Sequence, residues 1–103
     1  MCLAVPALAT SQTVVIQGFT FLPQNATINV GESVTWLNND PLNHTATSDT
    51  GAFDTGAIAA SGNKTISFAV AGSFAYHCSI HPSMKGTITV LGPAPTTAMD
   101  SRP

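Results

Sequence analysis

Residues 73–91 read SFAYHCSIHPSMKGTITVL, and this stretch decides the fold. Two runs of alternating apolar residues, SFAYHC at 73–78 and GTITVL at 86–91, have the two-residue period of β-strands. Pro82 disfavours a helix between them, because proline lacks a backbone N–H and clashes with the preceding helical turn. The stretch therefore predicts two strands joined by a tight turn through 79–83.

The alternation also assigns side chains to the faces of a sheet, because successive side chains of a strand point in opposite directions. In the first strand, Tyr76 and Cys78 share one face, and His77 lies on the opposite face, where we expect it at the surface. In the second strand, Ile88 and Val90 face inward.

Short strand-like runs separated by Gly, Pro, Asn and Asp recur along the rest of the chain. They are TVVIQ (13–17), FTF (19–21), ATINV (26–30), SVTWLNN (33–39), HTATS (44–48) and KTISFAV (64–70). No segment keeps the 3.6-residue period of a helix, and GAFDTGAIAASGN (51–63) is predicted to be irregular. We therefore predict an all-β fold, a Greek-key β-sandwich of about seven or eight strands.

Two of these runs make finer predictions. SVTWLNN puts Val34, Trp36 and Asn38 on one face, and it follows ATINV after the turn dipeptide Gly31-Glu32. Together they predict a hairpin with one buried side. KTISFAV likewise places its isoleucine, phenylalanine and valine on one face.

The composition limits the classes of function. The chain has 103 residues, enough for one domain, with 44% hydrophobic and 8% charged residues, as expected of a folded protein. A net charge of −2 with only three Lys and Arg residues offers no basic surface for a phosphate backbone, so we expect no nucleic-acid partner. No apolar run reaches the ~18 residues of a membrane span, so we expect no direct membrane insertion.

The first residues, MCLAVPALAT, are apolar and contain the A-x-A pattern Ala7-Leu8-Ala9. We interpret residues 1–9 as the remnant of a signal peptide and residues 10–91 as the domain. Residues 92–103, GPAPTTAMDSRP, are interpreted as a flexible tail or linker. The predicted location is outside the cytoplasm, periplasmic or extracellular.

The only other cysteine, Cys2, lies in the segment predicted to be removed. A disulfide between Cys2 and Cys78 is possible in the uncut chain. After cleavage Cys78 would have no partner, and a lone cysteine in an exported protein is a reactive thiol or a metal ligand.

Cys78, His81 and Met84 follow one another at three-residue intervals in the predicted turn, which can direct a thiolate, an imidazole and a thioether to one point. Structural zinc sites use cysteine, histidine and carboxylate, which leaves the methionine unexplained. A cysteine-nucleophile enzyme would need a Cys–His pair and an orienting Asn or Asp, and it also leaves Met84 unexplained. Two histidines, one cysteine and a weak axial methionine form the blue-copper electron-transfer site.

A second histidine is therefore expected near Cys78 in space. His77 adjoins the cysteine on a strand and points to the opposite face, so it cannot easily share a metal with it. His44, at the end of the loop that follows the Trp36 strand, is the remaining histidine and the expected fourth ligand.

The motif YHCSIHPSMKG, together with the upstream GESVTWLNND and His44, resembles the cupredoxin family, specifically its small plastocyanin/amicyanin-like members. The resemblance covers about residues 13–91, and the short Cys-x₂-His-x₂-Met spacing is similar to the amicyanin type of ligand loop. It implies one Cu(I)/Cu(II) ion per chain. The equatorial ligands would be His44, Cys78 and His81, and the axial ligand Met84.

The resemblance also implies that the backbone N–H of Thr45 donates to the Cys78 sulfur. Two positions depart from the family pattern. Ile80 stands where a proline is usual, and Thr45 stands where an asparagine often holds the ligand loop. A contact from Thr45 to Ser79 would be the replacement for that asparagine.

The function implied is one-electron transfer by a carrier that is not an enzyme. A monomer would dock redox proteins at an apolar rim around His81, formed by Pro41, Leu42, Ile80 and Pro82. The alternative is a copper storage or delivery module, or a copper domain excised from a larger oxidoreductase. A second copper, as in copper nitrite reductases, would need more histidines than the three in the chain.

Overall fold

Eight strands form the protein in the computed structural model, which describes residues 11–92. They are β1 (Ser11–Ile16), β2 (Phe21–Leu22), β3 (Asn25–Asn29), β4 (Ser33–Asn38), β5 (Thr47–Ser48), β6 (Asn63–Ser67), β7 (Gly72–His77) and β8 (Lys85–Leu91). The predicted all-β sandwich is confirmed, and residues 11–92 contain no helix. The predicted signal-peptide remnant and residues 93–103 of the predicted tail lie outside the described residues, and both stay predictions.

The strands form two four-stranded sheets, in the orders β2-β1-β4-β6 and β3-β8-β7-β5. The β1–β4 and β3–β8 pairs are parallel, and the other pairs are antiparallel. Apolar side chains from the inner faces fill the space between the sheets, as in other sandwiches. The fully buried members of this core include Val14, Ile16, Val34, Trp36, Ala46, Tyr76, Cys78 and Ile88.

The face assignments for the two central strands are confirmed. Val34, Trp36 and Asn38 of β4 are all buried, as are Tyr76 and Cys78 at the end of β7. The Trp36 ring meets the Tyr76 ring edge-on at 5.5 Å between centroids, which joins the two sheets at the centre of the core. Ile88 and Val90 of β8 also face inward, as predicted.

The predicted hairpin between β3 and β4 is wrong, because the two strands belong to different sheets. The turn itself is present, with Gly31 at φ +93° and the Glu32 N–H donating to the Asn29 carbonyl at 3.0 Å. The flanking amides, however, bond to other strands, since the Val30 N–H donates to Leu91 and the Gly31 N–H to Phe68. The turn therefore carries the chain from one sheet to the other.

Three shorter predictions also need correction. β6 ends at Ser67 because the chain then crosses between the sheets, and Val70 is 68% exposed rather than inward. The predicted strand over 44–48 is reduced to Thr47–Ser48, and His44 makes only an isolated bridge with Ile58. Residue 19 lies in a turn and not in a strand.

The strand directions define two ends of the sandwich. β4 ends, β7 ends and β8 begins at one end, called here the site end, where His77 pairs with Lys85. At the opposite end β1 begins beside Ser33, and the Leu91 carbonyl near the end of β8 accepts from Val30. The outer ends of the first and last strands, which are the start of β1 and the end of β8, therefore lie far from the site end.

Gly86 provides a test of the packing beneath the site end. A Cβ at this position would lie 2.6 Å from the Tyr76 Oη and 2.9 Å from the Gln24 carbonyl oxygen. We expect Gly86→Ala to lower the free energy of unfolding by roughly 1–3 kcal/mol, because the buried ring and the backbone must both shift. Guanidinium unfolding of the metal-free protein measures this loss.

The matched control is Gly92→Ala, whose Cβ would meet only the Ala71 Cβ at an ordinary 3.4 Å and should change little. Tyr76→Phe in the Gly86→Ala background should recover part of the loss, because it removes the clashing hydroxyl. That hydroxyl is buried without a hydrogen-bond partner among the described residues, and burial raises the pKa of Tyr76 to about 12. Equal stability of the two glycine variants would contradict the packing argument.

Candidate metal centre

Two segments at the site end carry the residues singled out by the sequence. The first follows β4 and reaches His44, whose backbone N–H and carbonyl both form hydrogen bonds with Ile58. The His44 N–H donates to the Ile58 carbonyl at 3.2 Å, and the Ile58 N–H donates back at 2.7 Å. The second segment is the loop between β7 and β8, which runs from Cys78 to Met84 and is called here the ligand loop.

The ligand loop is a closed turn, as predicted. The Cys78 N–H donates to the Met84 carbonyl at 3.1 Å, and the Met84 N–H donates to the His81 carbonyl at 2.9 Å. These two bonds tie the start, middle and end of the loop together. The loop can therefore present side chains in a fixed arrangement although it contains no regular secondary structure.

Three donor atoms converge between the two segments. The Cys78 Sγ lies 3.8 Å from the Nδ1 of His44 and 3.8 Å from the Nδ1 of His81, and the two Nδ1 atoms are 3.2 Å apart. The point equidistant from these three atoms lies about 2.1 Å from each, close to the roughly 2.0–2.3 Å of metal–nitrogen and metal–sulfur bonds at zinc. The arrangement can hold one metal ion in a trigonal plane.

Cys78 and His44 are fully buried, and His81 is partly exposed. Cys78 is the free cysteine among residues 11–92. Met84 is 3% exposed and closes the ligand loop through its backbone, and its assignment as an axial ligand stays a prediction.

Thr45 holds the two segments together. Its backbone N–H donates to the Cys78 Sγ at 3.3 Å, as the family resemblance implied. Its hydroxyl oxygen accepts the Ser79 N–H at 2.8 Å and lies 3.1 Å from the Ser79 hydroxyl. Threonine therefore makes the contact for which the family often uses asparagine, and the predicted contact to Ser79 is confirmed.

Asp40 was missed by the sequence analysis. Its carboxylate is buried, lies 2.9 Å from the His44 Nε2, and accepts the backbone N–H groups of Gly18 and Phe19 at 2.8 and 2.9 Å. Burial raises the pKa of Asp40, but its hydrogen-bond donors outweigh burial and hold that pKa below its ordinary value. The available signal was a carboxylate four residues before a candidate metal-binding histidine, since such histidines are usually oriented by a second hydrogen bond.

The turn between β1 and β2 lies at Gly18, where the sequence suggested a bend between the runs 13–17 and 19–21, but its contacts with the histidines were missed. Gly18 and Phe19 both have positive φ, +63° and +58°, and the turn is closed by reciprocal backbone hydrogen bonds between Gln17 and Thr20 at 3.0 and 3.2 Å. Phe19 is 45% exposed, and its ring meets the His44 ring at 5.2 Å and the His81 ring at 4.7 Å, both edge-on. Gly18 was the signal for a turn here, but nothing local placed the ring beside the histidines.

The remaining predicted residues lie as follows. Pro41, Leu42 and Ile80 line a shallow surface depression together with His81, and Pro82 is exposed beside it in the ligand loop. His77 lies on the outer face of β7, where its Nδ1 is 2.6 Å from an Asp49 carboxylate oxygen. It is separate from the three donor atoms, as predicted.

Comparison with known proteins agrees with this site. A family model described as copper binding proteins, plastocyanin/azurin family, matches residues 8–91. The chain is 37% identical over 83 residues to plastocyanin from Scenedesmus fuscus, covering 68% of this chain and 85% of that protein. It is 31% identical over 68 residues to amicyanin from Paracoccus denitrificans, covering 61% of this chain and about half, 52%, of the amicyanin.

Solved structures show the same fold. An oxidised proline-to-alanine variant of amicyanin superposes with a TM-score of 0.74 at 25% identity, covering 78% of this chain and 81% of that one. An oxidised methionine-to-leucine variant gives 0.73 at 24% identity, covering 77% and 80%. The chain belongs to the plastocyanin/azurin family of copper-binding proteins.

No helix within residues 11–92 is long and apolar enough to cross a membrane.

Proposed function

We propose that the protein is a one-electron carrier with a mononuclear type 1 copper site. His44, Cys78 and His81 would hold the copper as equatorial ligands, and Met84 would be the axial ligand. The observation that carries the proposal is the triangle of one sulfur and two nitrogen donors, with sides of 3.2, 3.8 and 3.8 Å.

The donor chemistry fits copper. Thiolate and thioether ligands favour soft metals such as Cu(I), and imidazole suits both oxidation states of copper. Bound copper supplies a Cu(II)/Cu(I) couple that accepts and releases one electron. Besides Cys78, Met84 is the residue of the ligand loop that carries a soft sulfur donor, and it is buried at the site end.

The protein's contribution is to keep the donors in place. The ligand loop is closed by its own backbone hydrogen bonds, and Thr45 ties it to the segment of His44. The Thr45 N–H directed at Cys78 Sγ withdraws electron density from the sulfur and so adjusts the reduction potential. Because the donors need little movement when the oxidation state changes, the reorganisation accompanying each transfer should be small.

Electrons would enter and leave at His81, the one member of the triangle that is partly exposed. Pro41, Leu42 and Ile80 line the depression beside it together with Asn43, and Pro82 is exposed nearby. This largely apolar surface would suit brief docking of redox proteins through a small interface. None of these rim residues is charged, so we expect the rate of transfer to a partner to depend weakly on salt.

The carrier would act as a monomer outside the cytoplasm, periplasmic or extracellular. Support for export is the sequence Ala7-Leu8-Ala9 after an apolar run.

The experiment is titration of the reduced, metal-free protein with Cu(II), followed by visible absorption and voltammetry. A carrier should show an intense thiolate-to-Cu(II) band with one equivalent of copper and a reversible one-electron wave. Weak Cu(II) colour together with tight but readily exchanged Cu(I) would instead favour the storage or delivery alternative.

Replacing Met84 tests the axial role. We expect Met84→Leu to keep one copper, because three strong ligands remain, and to raise the reduction potential, because loss of axial donation disfavours Cu(II) more than Cu(I). A one-electron couple shifts by about 59 mV for each tenfold change in this preference, so we expect a rise of roughly 60–120 mV by voltammetry.

Leu42→Ala, in the rim, is the control and should leave the potential close to that of the unmodified protein. An unchanged potential in Met84→Leu would rule out axial coordination, and loss of all copper would mean that Met84 is a strong ligand.

A further inference from the structure

The conformation of Phe19 is unusual for its residue type. A two-residue turn with positive φ at both positions normally contains glycine, asparagine or aspartate, because a bulky side chain is strained there. Gly18 satisfies this preference at the first position, but a phenylalanine with φ +58° occupies the second. Such strain persists where the surroundings enforce it, and it often marks a functional site.

The surroundings that enforce it are those of the candidate metal centre. The two consecutive left-handed residues turn the N–H groups of Gly18 and Phe19 to the same point, where the Asp40 carboxylate accepts both. The same carboxylate contacts His44. The strained turn is therefore linked to one of the three donor residues through a single buried group.

The Phe19 ring contacts the other histidine as well. It lies edge-on to His81, with 4.7 Å between centroids and 75° between planes. His44 is oriented by Asp40, which contacts its Nε2. Among residues 11–92, the His81 ring has polar neighbours within hydrogen-bond range only at Nδ1, the nitrogen that faces Cys78 and His44. Metal-binding histidines usually have such a partner on the other nitrogen. For His81, packing against Phe19 is the contact that can set the ring orientation.

We propose that Phe19 is a positioning residue for the metal centre: held in a left-handed turn by Asp40, its ring fixes the imidazole of His81 in the donor position. This inference rests on the proposed function. Positioning by a ring contact and not by a hydrogen bond leaves the Nε2 of His81 without a protein partner among residues 11–92, so the imidazole can be fixed and still face a docking partner.

The variants separate the ring from the backbone strain. Phe19→Asn removes the ring, and asparagine tolerates positive φ, so the turn bound to Asp40 should persist. Phe19→Leu keeps an apolar side chain without an aromatic ring. Leu22→Asn is the matched control, because Leu22 lies in the strand after the same turn and has nearly the same exposure, 47% against 45%.

The first measurement uses the metal-free protein. Nuclear Overhauser contacts between the ring protons of Phe19 and His81 are expected in the unmodified chain. The side-chain order of His81 should fall in Phe19→Asn and stay unchanged in Leu22→Asn. Absence of these contacts, or equal His81 order in the two variants, would overturn the proposal.

The second measurement follows the transfer of bound copper to a chelator. Loss of a residue that orients a metal ligand typically lowers metal affinity or activity by about 10- to 100-fold. We take the lower end and expect Phe19→Asn to lose copper about tenfold faster than the unmodified protein. The relative intensities of the visible absorption bands of its copper form should also change. Phe19→Leu should fall between, and Leu22→Asn should match the unmodified protein. A rate in Phe19→Asn within about twofold of Leu22→Asn would refute the positioning role. Failure of the unmodified protein to bind copper would refute the proposed function and leave the metal-free measurement to decide the role of Phe19.

Discussion

The thiolate-to-copper absorption band should vanish completely in Cys78→Ser. Within residues 11–92, the sulfur of Cys78 is the one thiol donor within 4.8 Å of the two imidazole nitrogens. A serine hydroxyl is a hard, protonated oxygen donor, whereas the thiolate is soft and deprotonates far more readily. Without the thiolate there is no charge-transfer transition of this kind. His44 and His81 can still hold Cu(II) weakly and with little colour.

The fold should survive this change. Serine is smaller than cysteine, and its hydroxyl oxygen can accept the Thr45 N–H that the sulfur now accepts. We therefore expect unfolding of the metal-free variant to differ from that of the unmodified protein by about 1 kcal/mol or less. In the uncut chain, which retains Cys2, the control Cys2→Ser should keep the full band. A coloured Cys78→Ser protein, or a colourless Cys2→Ser protein, would contradict the assignment of Cys78 as ligand.

Asp40→Asn should cause the largest loss of stability among the substitutions considered. The carboxylate accepts from two backbone amides and contacts His44, all at 2.8–2.9 Å. An amide of the same shape has one acceptor oxygen, and its NH₂ group must face a donor. Hydrogen bonds to charged groups contribute about 1.5–3 kcal/mol each, so we expect the metal-free protein to lose roughly 2–4 kcal/mol in denaturant unfolding. Copper affinity should fall by about 10- to 100-fold, because His44 loses its orienting partner.

Asp49→Asn is a well-matched control because Asp49 also pairs with a histidine, His77, but at the surface. Exposed pairs of this kind contribute about 0–1 kcal/mol.

The pH dependence distinguishes the two sites further. Because the pKa of Asp40 is lower in the folded protein, its contribution is present above the ordinary carboxyl pKa of about 3.9 and is lost as pH falls through the folded value. The stability difference between Asp40→Asn and the unmodified protein should therefore persist at neutral pH, begin to shrink below about pH 4, and be lost once the pH falls through the lower pKa of folded Asp40. Equal losses in the two variants at pH 7 would contradict the buried role of Asp40.

Local patterns in the sequence predicted what depends on local geometry. The alternation in β4 and β7 fixed which side chains are buried, because a strand leaves only two choices of face. Pro82 disfavoured a helix between β7 and β8, so a tight turn was predicted there. The spacing of Cys78, His81 and Met84 then placed all three side chains on that turn. The chemistry of the donors then required a second histidine, and the structure brings His44 to Cys78.

The failures concern pairing and distant contacts. Gly31 and Glu32 form a tight turn as predicted, but a turn signal does not say whether the next strand pairs with the previous one or joins the opposite sheet. Asp40 and Phe19 lie 21 residues apart in sequence and meet only because β1 runs parallel to β4. The contacts of Phe19 with the histidines follow from the packed fold, and no short pattern in the chain predicts them. Asp40 left one local signal, its position four residues before His44.

The positions of the outer ends of β1 and β8 have a practical consequence. Since both lie away from the site end, a tether attached next to residue 92 would fasten the molecule to an electrode by the side opposite His81. The imidazole edge would then face the solution, where a soluble redox partner can reach it. A tether attached through Lys85, at the start of β8, would turn the same edge towards the electrode.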